Sequence, residues 1–133
     1  MKIDVPYGIT RRLENGDLDK ARERITASLQ TEGFGVLTEI DLQKTLEKKL
    51  GVQTGPYLIL GACSPKLAHA AISAEPGVGL LLPCNVVLTM DGEDVLISAA
   101  SPKALFAAAG VAAGLASLAE EAETRIRRAV ANA

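Results

Sequence analysis

Two segments of this chain follow one rule. Ile59-Leu-Gly-Ala-Cys-Ser-Pro-Lys66 and Leu96-Ile-Ser-Ala-Ala-Ser-Pro-Lys103 each carry an apolar run into Ser-Pro-Lys and then into an alanine-rich stretch. A serine hydroxyl can accept the free amides of a helix's first turn, and the proline that follows has a φ already suited to a helix. The chain must therefore pass from strand to helix twice, by the same local means. Shared capping accounts for the echo. Ala100 stands where Cys63 stands, so the junction itself needs no thiol.

The remaining punctuation fills in the order of elements. Val5, Tyr7, Ile9 and Leu13 alternate with Thr10 and Arg12, which predicts a strand with one buried face. Arg11 interrupts the apolar side near its end, and Asn15-Gly16 breaks it. Asp17 is placed to cap a helix whose stripe is Leu18, Ala21, Ile25 and Leu29, ended by Gly33. Residues 34–40 read as a second strand. Asp41 opens a short helix with Leu42, Leu46 and Leu50 on one side, stopped by Gly51.

After a loop, residues 57–62 form a third strand, apolar enough to be buried on both faces. The helix from Ser64-Pro65 carries Leu67, Ala68, Ala71 and Ile72, and Pro76-Gly77 closes it. The linker from Val78 to Pro83 has too many leucines for a solvated loop. Residues 84–90 and 95–99 make a hairpin through Asp91-Gly92, since Asp-Gly supplies the positive φ of such turns. From Ser101-Pro102 an apolar stripe of Val111, Leu115, Leu118, Ala122, Ile126 and Val130 runs to the C-terminus. Gly110 and Gly114 interrupt it, and their spacing suggests a close helix contact.

These readings predict one α+β domain over residues 1–133. It has a single, mostly antiparallel sheet of about five strands with helices mainly on one face. The apolar share is 48% but the aromatic share only 3%, so the core must be built from Leu, Ile, Val and Ala. A net charge of −2 with interspersed signs, and no aromatic platform, argue against a nucleic-acid partner. The N-terminal residues show no export signal, and the uncharged run between Lys103 and Glu120 is too weakly apolar for a membrane span. A cytoplasmic protein with free thiols is expected.

Cys63 and Cys84 are the only cysteines, each at an element boundary. Cys63 precedes a helix N-terminus with Lys66 in the first turn, where a thiolate would be favoured. Against this stands the common role of a free cysteine as a small hydrophobe. A chain that turns back after Pro76 would let the two thiols meet. Ser64, Lys66 and Asn85 complete the candidate ligand-binding set. His69 is the only histidine, and with Cys63 and Cys84 it offers a weak alternative as a soft-metal site for zinc or cuprous copper. Glu39 and Asp41 flank a strand end that could reach a pocket. No catalytic residue and no cofactor can be named.

The motifs Phe34-Gly-Val-Leu-Thr-Glu-Ile-Asp41, Leu60-Gly-Ala-Cys-Ser-Pro-Lys66 and Gly79-Leu-Leu-Leu-Pro-Cys-Asn-Val-Val87, in this order and spacing, resemble the bacterial and archaeal family catalogued as domain of unknown function 302. The family pattern has Asn after the first cysteine where this chain has Ser64. The resemblance implies a curved antiparallel sheet backed by helices, similar to the TATA-box-binding-protein fold, with Cys63 and Cys84 at family-typical positions. It implies no activity.

The expected function is a small-ligand-binding module, a homodimer, holding an apolar or thiol-reactive ligand near Cys63, Cys84 and Leu80–Leu82. The alternatives are a redox protein or enzyme using Cys63, and a structural homo-oligomer whose linker and C-terminal helix make the interface.

Overall fold

The structure, a computed structural model, describes residues 3–133. Met1 and Lys2, which begin the N-terminal segment read above for export signals, lie outside the described residues. Five strands form one open antiparallel sheet: β1 (Gly8–Leu13), β2 (Gly35–Asp41), β3 (Tyr57–Cys63), β4 (Cys84–Asp91) and β5 (Asp94–Ala100), in the order β1-β5-β4-β3-β2. Five helices accompany them: α1 (Leu18–Thr31), α2 (Leu42–Leu50), α3 (Pro65–Ala74), α4 (Pro102–Ala109) and α5 (Ala116–Ala131). The architecture is α+β.

Each helix starts or stops where a local device dictates. Asp17 accepts from the Lys20 amide, Asp41 from Lys44, Ser64 from Leu67 and Ser101 from Ala104. Gly51 and Gly110 end α2 and α4 with positive φ, a conformation that costs glycine nothing. The hairpin turns on Gly92, also at positive φ, between the paired Asp91 and Asp94.

Register sorts the sheet into two faces. Ile9 of β1, Leu58 and Leu60 of β3, Val86 and Leu88 of β4, and Val95 and Ile97 of β5 share one face. That face meets Ala21, Ile25 and Leu29 of α1 and Ile126, Ala129 and Val130 of α5, all buried, to make the main core. The stripe expected on α1 is therefore the packed one. Helices α3 and α4 lie against α5, and α2 lies against β3.

Several details depart from the sequence reading. Val5 and Tyr7 precede β1 in a turn, and Tyr7 is 56% exposed. The α2 leucines do not form a buried stripe: that helix buries no residue and Leu50 is exposed. Gly110 and Gly114 make no close helix contact; a Cβ at either would meet open space, and the glycine at 110 serves the helix end. The apolar linker is a 3₁₀ turn, Pro76–Leu81. Val78 is buried with Ala71 and Leu115 in a second small cluster that Leu81 joins, while Leu80 is 92% exposed.

The candidate functional site

The ends of β3 and β4 sit side by side, with Ala62 opposite Cys84. At that end the helices do not close fully over the sheet. A cavity of about 40 Å³ remains, with Phe34, Leu67, Phe106 and Leu118 among its walls. Cys63, Ser64, Leu82 and Cys84 border it as well. Its lining is almost wholly apolar.

The two cysteines reach this wall differently. Cys84 faces Ala62 and so lies on the helix-covered side of the sheet. Cys63 comes one residue later, paired with Gly35, and borders the cavity where the strand gives way to α3. Burial pushes the Cys84 thiol up to about 11, and the neighbouring charges of Cys63 and Glu123 add to this. Both thiols are free and partly accessible.

Of the other candidates, Ser64 is buried and spends its hydroxyl on the Leu67 amide at 3.4 Å. Lys66, His69 and Asn85 are all exposed, and none borders the cavity. Among the described residues, no group of three or more His, Cys, Asp or Glu is arranged to hold a metal ion. The Cys63–His69–Cys84 set is therefore not assembled, because His69 looks out from the solvent side of α3. Glu39 pairs with Arg22 across to α1 at 2.9 Å and lines only a charged surface hollow beside α1, and Asp41 caps α2, so neither borders the apolar cavity.

Two groups near the site escaped the sequence reading. Glu123, on α5, is only 5% exposed. It accepts from the Ser101 hydroxyl at 2.7 Å and pairs with Arg127 at 2.8 Å, and the Lys103 amide also points to it. A carboxylate in a helical stretch of Glu and Arg looks solvated in one dimension. Only the docking of α5 onto the start of α4 buries it. Gly61 is the second: a Cβ there would collide with the Thr38 hydroxyl and come within 2.8 Å of the Pro83 ring. The proline that leads into Cys84 packs onto β3 at the one residue with no side chain.

An open antiparallel sheet backed by two long helices, with an apolar hollow at the β3–β4 end, defines an α+β protein of the sheet-and-helix kind. The sequence model of the family described as "Domain of unknown function DUF302" matches residues 9–133, and the chain belongs to that family. The crystal structure of an uncharacterized conserved DUF302 protein from Bacillus stearothermophilus is similar to it, with 26% identity and a TM-score of 0.87. The likeness covers 96% of this chain and 98% of that one. No curated protein matches the sequence. Among the described residues, no helix is long and apolar enough to cross a membrane.

Proposed function

We propose that this chain is a non-enzymatic, cytoplasmic small-ligand-binding module whose ligand enters the cavity beside Cys63, Ser64 and Cys84. The observation that carries this reading is the apolar hollow at the β3–β4 end, bordered by both cysteine residues. Its size sets the ligand class. A single water needs roughly 10–15 Å³ on the same measure, so a hollow of about 40 Å³ takes a molecule of a few heavy atoms. Its apolar walls disfavour water and favour an apolar or soft, thiol-seeking guest.

Xenon is the direct probe. Under xenon pressure, amide and methyl shifts should move at Ala62, Leu67, Cys84 and Leu118, and filling the hollow with Ala122→Leu should abolish them. Shifts confined to other surfaces would remove the cavity from consideration.

The redox or enzymatic alternative rests on Cys63, which sits just before the N-cap of α3. Its alkylation rate against pH separates the readings. A thiolate that titrates well below about 8.5 favours chemistry, whereas reaction only after unfolding favours packing.

A homodimer belongs to the same proposal. Support comes from the exposed apolar residues Leu37, Ile40, Leu50 and Val52, which lie on β2, α2 and the loop after it.

A further inference from the structure

The face of the sheet that α1 and α5 leave uncovered holds a second, larger hollow. Tyr57 of β3, Asn85 and Val87 of β4 and Ser98 of β5 point to this face by register. With the segment from Ile3 to Gly8 and Leu105 of α4, they enclose a groove of about 460 Å³. That volume is within the range of roughly 300–1,000 Å³ typical of sites for small organic ligands, and it is more than ten times the volume of the thiol-bordered cavity.

We infer that this groove is a binding site for a neutral, largely apolar organic molecule carrying a hydrogen-bonding group. Three observations converge on that class. First, no Asp, Glu, Lys, Arg or His lines the groove. Two other surface hollows are lined by charges such as Arg22, Glu23 and Glu39, or Glu14, Asp17 and Lys20. Second, the chain has only two tyrosines, and both Tyr7 and Tyr57 line the groove. Aromatic rings give large contact area with little rotamer freedom to lose, and their hydroxyls orient a guest. Third, the side chains of Tyr7, Tyr57 and Asn85 take no part in the protein's own hydrogen bonds among the described residues, so two hydroxyls and an amide remain free to donate and accept.

The wall is built in advance of any ligand. The Gly8 amide closes a turn onto the Val5 carbonyl at 3.1 Å, and the Ser101 amide holds the Tyr7 carbonyl at 2.8 Å. A Cβ at Gly8 would lie 2.9 Å from the Ser98 hydroxyl and 3.2 Å from Val5, so the segment can approach the sheet only over a glycine. Consecutive residues of β4 thus serve opposite sides: Cys84 borders the first hollow and Asn85 the second.

The test uses Nile red, a neutral planar dye, followed by its own emission and by tyrosine emission, which no tryptophan masks. Tyr7→Ala and Asn85→Ala alter exposed residues and leave the core intact. Each should weaken binding several-fold. Val87→Glu places a charge on the groove floor and should weaken it by about tenfold or more, with the far-UV spectrum confirming a folded chain. Ala122→Leu, which fills the other cavity, should change nothing. Wild-type affinity in both Tyr7→Ala and Asn85→Ala would overturn the assignment, as would loss of binding in Ala122→Leu or failure of the dye to bind the native protein. The xenon experiment reads the other hollow, so either site can fail without the other.

Discussion

Cys84 is the residue on which burial acts most plainly. Its thiol is pushed from 9.0 to about 11, mainly because the anion would lose its water. The folded protein therefore holds this proton more tightly than the unfolded chain does. Below about pH 8 both states are protonated and stability is indifferent to this group. Above pH 9 the unfolded chain releases the proton while the folded one keeps it, so stability falls by about 1.4 kcal/mol per pH unit until pH approaches 11. Urea midpoints measured from pH 7 to 11 should decline more steeply for the native protein than for Cys84→Ala, and equal slopes would show that the thiol is not held in this way. Gly61 is a residue-scale constraint of a different kind. With the Pro83 ring and the Thr38 hydroxyl where its Cβ would go, Gly61→Ala should destabilise by about 1–3 kcal/mol, read as a lower urea midpoint. A single sequence shows that position only as one more glycine in an apolar run; the close approach comes from two other segments of the chain.

At the scale of elements, the local signals were legible and the crossings were not. The caps Asp17, Asp41, Ser64 and Ser101, and the stop Gly51, could be read because each acts within a few residues of itself, whereas Gly110, which read as a break in one stripe, ends α4 outright. The bulge in β2 could not. Val36 pairs with Ala62 and Thr38 with Gly61, so Leu37 is the extra residue, and Ile40 is turned to the uncovered face. Arg11 looked like an interruption in an apolar strand. It extends instead to the end of α5, donating to the carbonyls of Val130 at 3.3 Å, Ala131 at 2.8 Å and Ala133, where a cation also suits the helix dipole. Arg11→Met keeps the apolar stem but loses these bonds and should cost about 1.5–3 kcal/mol. Hydrogen exchange should quicken first in the last turn of α5; uniform loss of protection would argue for a diffuse effect. Glu123 ties the middle of that helix to the start of α4. Glu123→Ala leaves the buried Ser101 hydroxyl without its acceptor, while the exposed Arg127 returns to solvent, and should cost about 1.5–3 kcal/mol in thermal or urea unfolding, with Glu123→Gln milder. An alanine variant as stable as the parent would mean that the buried carboxylate is not a structural tie.

For the whole molecule, the covered and uncovered faces of the sheet lead to different expectations about assembly. The linker leucines suggested an interface from sequence because a run of Leu80, Leu81 and Leu82 cannot all be solvated. The fold divides them: Leu81 packs with Val78 and Leu115, Leu82 borders the cavity, and only Leu80 is left on the surface. A charge at Leu81 would therefore disturb folding before it tested any interface. The larger exposed apolar group is on β2, an edge strand of the sheet, and on α2 and the loop behind it. Leu37 is 65%, Ile40 46%, Leu50 69% and Val52 42% exposed. An uncapped edge with exposed aliphatic neighbours is a surface that pairs readily with a second chain. If two copies meet there, Leu37→Asp combined with Leu50→Asp should shift the sedimenting species from dimer to monomer, while Leu80→Asp should leave it unchanged. Both substitutions in the double variant fall on exposed residues, so the far-UV spectrum should stay that of the parent. A dimer that survives the double variant would move the interface away from this edge, and a dimer lost with Leu80→Asp would return it to the linker.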